Sequence, residues 1–419
     1  MSRRSDAAKS PDQPGRPAAM RSLRALLVSH ALSRTGNVVT VFAIPFAVLA
    51  TGGSALQVGL AAAATTAPVV IGGTFGGVVI DRIGHVRASV IADLISGATL
   101  ALIPLLARAD ALPYGALLAL VFLGGVFDAP GETARRVLLP PLSQRAGLPI
   151  ERSIGFLDGT SRLSALLGAP LAGALVAAIG PHPALFATAA AFALSAAITA
   201  GLVRLPAGAV EREPSLGYWR DLAEGMRFTV RDPLLARIVA LVLLTNALDA
   251  ARSGTLMPLY AAEQLGGPTA LGVVVGVFGA AALLGTVAFG YVAHRLPRRI
   301  PFALCFAVAG AFSFAPALGA GVPGMVAAAT VSGLAAGAIN PILGAAQFER
   351  IPPQLRGRVL GLVTAGAWAG MPVGSLLGGV GAELIGVRWM FLAIGVVYVA
   401  ATLTPLAGGQ WKLMERGRG

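Results

Sequence analysis

Residues 57–87 read QVGLAAAATTAPVVIGGTFGGVVIDRIGHVR. The run 57–80 carries no charged side chain and matches the ~20 apolar residues that cross a bilayer as a helix. It ends in a short polar turn, Asp81-Arg82-Ile83-Gly84-His85-Val86-Arg87, and a second apolar run follows at once over 88–106. Such alternation is the mark of a chain that threads a membrane repeatedly, since a helix satisfies its own backbone groups in lipid.

Working outward, the same pattern predicts twelve membrane helices. The first six are 25–50, 57–80, 88–106, 113–134, 153–179 and 183–203. The second six are 234–260, 270–292, 301–320, 322–345, 359–385 and 390–406. Of the 419 residues, 56% are hydrophobic and 12% charged, about half the charge of a soluble domain. Ala, Leu, Val and Gly have taken the place of charge, which excludes disorder. The single cysteine, Cys305, lies in an apolar run and permits no internal disulfide or multi-cysteine zinc site.

The net charge of +13 is decided by its placement. Of 32 Lys and Arg, 27 fall in the two tails, the middle segment and alternate gaps, among them Arg82, Arg87, Arg145, Arg152, Arg295, Arg350 and Arg358. The opposite gaps hold Arg108 and Arg388, while Arg34, Arg162 and Arg252 lie within helices. Basic loops remain cytoplasmic, so both termini are expected there. A nucleic-acid surface would instead gather its cations on an element that folds in water.

The predicted domains are a cytoplasmic tail at 1–24, a six-helix bundle at 25–203, a linker at 204–233, a second bundle at 234–406 and a tail at 407–419. The polar N-terminal residues read as a disordered tail, not a signal peptide. In the linker, Tyr218, Trp219, Leu222, Met226 and Val230 recur at helical spacing among charged residues, as in an amphipathic helix on the membrane surface. The halves repeat each other. Gly53-Ser54-Ala55-Leu56 and Gly267-Pro268-Thr269-Ala270-Leu271 each precede an apolar run, with Pro45 and Pro258 at matching points. Parallel six-helix repeats place a substrate site between the halves near the bilayer midplane.

The turn from Gly77 to Arg87 resembles motif A of the major facilitator superfamily, with Gly77, Asp81, Arg82, Gly84 and Arg87 in the motif positions. The resemblance implies an all-α fold of twelve transmembrane helices in two pseudo-symmetric bundles, with this turn locking the halves on the cytoplasmic side. Val86 stands where a second basic residue is usual. In the equivalent turn, His294 replaces the expected Asp. Four further segments are similar to the drug and siderophore exporter branch, the group of the enterobactin and macrolide exporters. They are Ser33-Arg34-Thr35-Gly36, Asp128-Ala129-Pro130-Gly131 with Arg135-Arg136, residues 220–228, and Pro353 with Arg356-Gly357-Arg358-Val359. Asn37 occupies a place where that branch often has Asp. Gly168, Pro170 and Gly173, and likewise Gly370, Pro372 and Gly374, suit helices that approach closely and bend.

A charge at the bilayer centre costs at least ~2.5–3.5 kcal/mol and needs a partner, water or a function. The candidate cavity residues are Arg34 and Asn37, Asp158 and Arg162, Asn246, Asp249 and Arg252, with Asn340 and Trp368. Asp249 is either a proton-binding carboxylate, its proton affinity set by Arg34 or Arg252, or half of a permanent ion pair. Asp158 and Arg162 are spaced to pair within one helix. Asp93, Asp128 and Glu132 are expected to join Arg82, Arg135 and Arg136 in a cytoplasmic gate. Trp368 reads as either a pocket wall or lipid-facing packing.

The function expected is proton-coupled export of small hydrophobic or amphipathic compounds across the inner membrane. The partners are then the bilayer and a small-molecule substrate, with no nucleic acid; the chain acts as a monomer without metal or cofactor, and the proton gradient supplies energy. Uptake or exchange of an anionic metabolite is the alternative, suggested by the intramembrane arginines; a transport-dead membrane sensor is a further one, but the sequence lacks the large soluble domain that role usually needs. No Walker, HExxH or GxSxG pattern is present, which argues against a P-loop ATPase or a membrane hydrolase.

Overall fold

The computed structural model describes residues 16–205, 218–352 and 355–415, with side chains described outside 70–82, 218–222 and 356–358. Its first half comprises α1 (Arg16–Ala50), α2 (Ala55–Ile83), α3 (His85–Arg108), α4 (Tyr114–Ala146), α5 (Ile150–Ile179) and α6 (Pro181–Leu202). The linker helix α7 (Tyr218–Arg231) follows. The second half comprises α8 (Pro233–Gln264), α9 (Pro268–Val292), α10 (Arg299–Ala317), α11 (Val322–Arg350), α12 (Arg356–Ile385) and α13 (Val387–Leu403). Among the described residues eleven helices are long and apolar enough to cross a membrane, and α2 is apolar over Ala55–Val69.

Each expected membrane helix has its counterpart. Gly84, with φ +85°, makes the sharp turn between α2 and α3, a backbone region that glycine enters freely. The largest differences are at two ends. The helix α1 begins at Arg16, so residues 16–24 are helix and not tail, and α4 runs on to Ala146. These extensions pack on each other through Ala19, Leu23, Leu26, Leu138 and Leu142, burial that a hydropathy window cannot see. The C-terminal tail is also partly anchored: Trp411 and Met414 are buried, with Trp411 beside Phe302.

The halves meet along two seams, α2 on α12 and α5 on α9. Both are glycine contacts. A Cβ on Gly173 would lie 2.6 Å from the Pro268 carbonyl oxygen, and one on Gly379 would lie 2.8 Å from that of Ala55. Both contacts sit at the end carrying the α1–α2 and α8–α9 loops. Here one apolar core joins both halves, with Phe46, Val58 and Val176 against Leu259, Leu271 and Phe391. The other end carries the first and last described residues, Arg16 and Glu415, and most of the described basic residues. There the apolar clusters each stay within one half. Every ion pair described also lies within one half. Gly155 and Gly159 on α5 and Gly361 on α12 meet open space. Among the described residues the halves therefore pack together at one end and stand apart at the basic end.

This geometry makes Gly173→Val a sensitive probe. Overpacking costs about 1–3 kcal/mol, enough to move a two-state equilibrium roughly 5- to 150-fold. The variant is expected to hold the closed end open. A cysteine placed at buried Phe46, with Cys305 replaced by Ser, should then react with a membrane-impermeant maleimide. Gly115→Val, where a side chain meets open space, should leave labelling unchanged.

Candidate functional site

In the first half, polar side chains from α1, α3, α4, α5 and α6 form two adjoining networks, both anchored on α4. Asp128, Glu132, Arg135 and Arg136 share a face of α4 through successive spacings of four, three and one residues. The deepest member is the Asp93–Arg135 pair, with side chains 0% and 1% exposed. Arg135 Nη1 donates to both Asp93 carboxylate oxygens at 3.0 Å and to Ser89 Oγ at 3.1 Å. Its Nη2 donates to Ser33 Oγ at 2.8 Å, and Ser195 Oγ donates to Asp93 Oδ2 at 2.6 Å. Low dielectric demands this degree of satisfaction, since a buried charge lacking partners is costly.

Moving toward the cleft, Asn37 Nδ2 donates to Asp128 Oδ2 at 2.8 Å, and Arg135 Nη2 lies 4.0 Å from Asp128 Oδ1. Arg34 Nη1 donates to Glu132 Oε2 at 3.1 Å, and Arg136 Nη2 to Glu132 Oε1 at 3.2 Å. Arg136 Nη1 stands 3.8 Å from Asp158 Oδ1, with both side chains about half exposed. The chain Arg34–Glu132–Arg136–Asp158 thus forms a charged wall of the cleft. His30 is buried and within 2.7 Å of Ser161 Oγ. A cavity of about 50 Å³ beside Asn37, lined by Thr40, Thr65, Ser96 and Phe192, has room for a few waters but not for a drug-sized molecule.

In the second half, α8 loses α-helical register at residues Ala251–Leu256, a π segment. Such bulges are frequent at functional sites. Asp249 stands just before it and Arg252 within it. Arg252 Nη2 donates to Asp249 Oδ1 at 2.6 Å, and Tyr398 Oη donates to Asp249 Oδ2 at 3.1 Å. The guanidinium lies over the rings of Phe312 and Tyr398, and its Nη1 donates to the Ala309 carbonyl at 3.2 Å. Asp249 is 36% exposed at the side chain, so this pair is open to the cleft on its acidic side. The π segment leads directly to a seam. Thr255 Oγ1 donates to the Ser375 carbonyl at 3.0 Å, and a Cβ on Gly254 would be 3.4 Å from Ala62 of α2.

The structure corrects three of the sequence expectations. Asp158 faces Arg136 of α4, not Arg162; Arg162 is exposed and makes no ion pair among the described residues. Asp128 pairs with Asn37 and Glu132 with Arg34, both on α1, so the expected gate partners and cavity residues contact each other. Arg135 is buried within the first half and does not reach the second. Of the two arginines considered for Asp249, Arg252 is its partner and Arg34 is not. Asn246 donates to the Ala367 carbonyl at 2.9 Å, tying α8 to α12. Trp368 is 39% exposed, seven and eleven residues before Ser375 and Gly379 on the face of α12 that meets α2. Asn340 is exposed. The side chains of Gly77, Asp81 and Arg82 lie outside those described, as do Arg356 and Arg358 and residue 353; Arg87 is exposed. Sequence reasoning missed Tyr398 as a site residue. Its only signal was a phenol, which seeks a hydrogen-bond partner when buried, set within an apolar helix.

Comparison with known proteins bears on this architecture. The family model described as Major Facilitator Superfamily matches residues 26–266 and again 239–408. The multidrug efflux pump Tap of Mycobacterium tuberculosis (strain ATCC 25618 / H37Rv) is 30% identical over 385 residues, covering 91% of this chain and 92% of that protein. The enterobactin exporter EntS of Escherichia coli O127:H6 (strain E2348/69 / EPEC) is 28% identical over 372 residues, covering 87% and 86%. Among solved structures, the nucleoside transporter NupG superposes with a TM-score of 0.70 at 14% identity, over 93% of this chain and 98% of that one. A POT family transporter in complex with a thioalcohol-conjugated peptide superposes with a TM-score of 0.74 at 13% identity, over 92% and 96%. Those two likenesses concern the fold alone.

Proposed function

Because the chain belongs to the major facilitator superfamily, a family of multi-pass membrane transporters, we propose that it exports small hydrophobic or amphipathic compounds across the inner membrane in exchange for protons. The observation that carries this reading is the pairing of a glycine-sealed end with a basic end that is cleft and lined by partly exposed carboxylates. With the basic end cytoplasmic, this is the state in which an exporter loads. The names of the relatives, a multidrug efflux pump and an enterobactin exporter, support the same direction. The chain works as a monomer in the bilayer.

Asp249 is the coupling group in this reading. Protonation removes the charge that holds Arg252, and the released guanidinium lets the π segment regain α-helical register. That shift moves Thr255 and Gly254, which touch Ser375 and Ala62 at the α2–α12 seam. A proton event in the cleft is thereby joined to opening of the far end. A mixed polar and aromatic cleft with Trp368 suits amphipathic solutes better than sugars, which require many directed hydrogen bonds. Exchange of an anionic metabolite has less support, since two of the three intramembrane arginines, Arg34 and Arg252, already face carboxylates and only Arg162 does not among the described residues.

Expression in an efflux-deficient host tests the reading. Cells carrying the chain should hold less of several amphipathic dyes, and a protonophore should abolish the difference. Raised dye content would contradict export.

A further inference from the structure

We infer that α7 is a binding site for an anionic phospholipid of the leaflet at the basic end, with the phosphate on Arg227 and Arg231 and the acyl chains along Met226 and Val230. The helix has three distinct faces. One packs on α8 and α12, burying Gly225 and Thr229 and half-burying Phe228. The next carries Met226, 47% exposed, and Val230, 66% exposed, one turn apart. Each arginine follows one of these apolar residues, so Arg227 and Arg231 form a basic stripe beside the apolar one.

An apolar stripe exposed at the boundary of a spanning bundle, flanked by cations, fits the interface of a membrane and not bulk water. The arginines are available for a ligand. Among the described residues neither makes an ion pair, whereas Arg298 and Arg350 nearby are held by Glu349 and Asp232. A cavity of about 410 Å³ opens between α7 and the start of α8, lined by Arg227, Phe228, Arg231, Pro233 and Leu355, with Glu224 and Asp232 also on its wall. The Asp232 carboxylate is engaged already. It accepts from Arg350 at 2.7 Å and from the Leu234 and Leu235 N–H groups, which cap α8. Burial alone would raise this carboxyl, but those hydrogen bonds keep it below its ordinary value. Among the described residues, the positive groups of the cavity are thus the ones without an ion-pair partner.

Free phosphate would use the arginines without needing the apolar stripe, and the test separates the two. The purified full chain is placed in nanodiscs of equal phosphatidylglycerol and phosphatidylcholine, and the lipids retained after extraction into mild detergent are counted by native mass spectrometry. Phosphatidylglycerol should be enriched. Arg227→Gln with Arg231→Gln should lower that enrichment roughly 30-fold, given the usual contribution of two arginines at an anionic surface. Arg227→Lys with Arg231→Lys should retain most of it, which guards against loss through misfolding. Met226→Ser with Val230→Ser should weaken lipid retention and leave inorganic phosphate binding unaltered. Equal retention of both lipids by the unaltered chain, unchanged enrichment in the Gln pair, or displacement of lipid by millimolar inorganic phosphate would overturn the assignment.

Discussion

Replacing Asp249 by Asn is expected to abolish concentrative transport while leaving a folded protein. Asn matches Asp in size, and its single oxygen can still accept from Arg252, while its amide group can donate to the Tyr398 hydroxyl that now donates to the second carboxylate oxygen. What it cannot do is bind and release a proton. A membrane potential of 100 mV supplies about 2.3 kcal/mol for each proton, which is roughly 50-fold in accumulation. That factor should vanish in the variant, measured as dye accumulation in energised everted vesicles. Downhill dye movement should persist. Tyr398→Phe removes one hydrogen bond to a charged group, worth about 1.5–3 kcal/mol, and should impair transport without abolishing the response to the gradient. If Asp249→Asn accumulates dye normally, Asp249 and the π segment beside it leave the mechanism.

The second large effect belongs to a pair that the mechanism does not use. Asp93→Ala leaves the Arg135 guanidinium buried beside Ser33 and Ser89 without its carboxylate. Removing one partner of a buried pair costs about 3–5 kcal/mol. A sharp fall in folded yield and in thermal midpoint in detergent is expected. Replacing both, Asp93→Leu with Arg135→Met, removes the stranded charge and should restore most of the stability. Transport should return with it, because neither side chain faces the cleft. A stable double variant that transports nothing would make the pair part of the machinery and not of the frame.

Much of the fold was legible because a membrane imposes a simple code. Runs such as 57–80 and 270–292 have to be helices, and the basic turns between them bound their ends. The code failed where helices leave the apolar slab and pack on each other, as Leu23 and Leu142 do in the extensions of α1 and α4. The site was legible in its membership and not in its pairing. Arg34, Asn37, Asp128, Asp249 and Arg252 stand out as polar residues in apolar helices. Spacing along one helix cannot tell Asp158 that Arg136 of α4 lies closer than Arg162 of its own helix, because that choice is made by the α4–α5 crossing. Asp249 and Arg252 paired as their three-residue spacing allows because the contact is local, while Tyr398 reaches them from α13 across the bundle. The two glycine seams show the same limit. Gly173 and Gly379 read as generic small residues until their partners Gly272 and Gly59 are in view.

Coupled exchange in a reconstituted system tests the central claim most directly. The purified chain in liposomes, oriented by protease protection and loaded with a pH indicator, is supplied with an amphipathic dye at the basic end. The account predicts that dye movement toward the sealed end drives protons the opposite way in a fixed ratio, and that Asp249→Asn removes the proton flux. Dye movement accompanied by protons in the same direction, or by none in the unaltered protein, would contradict it.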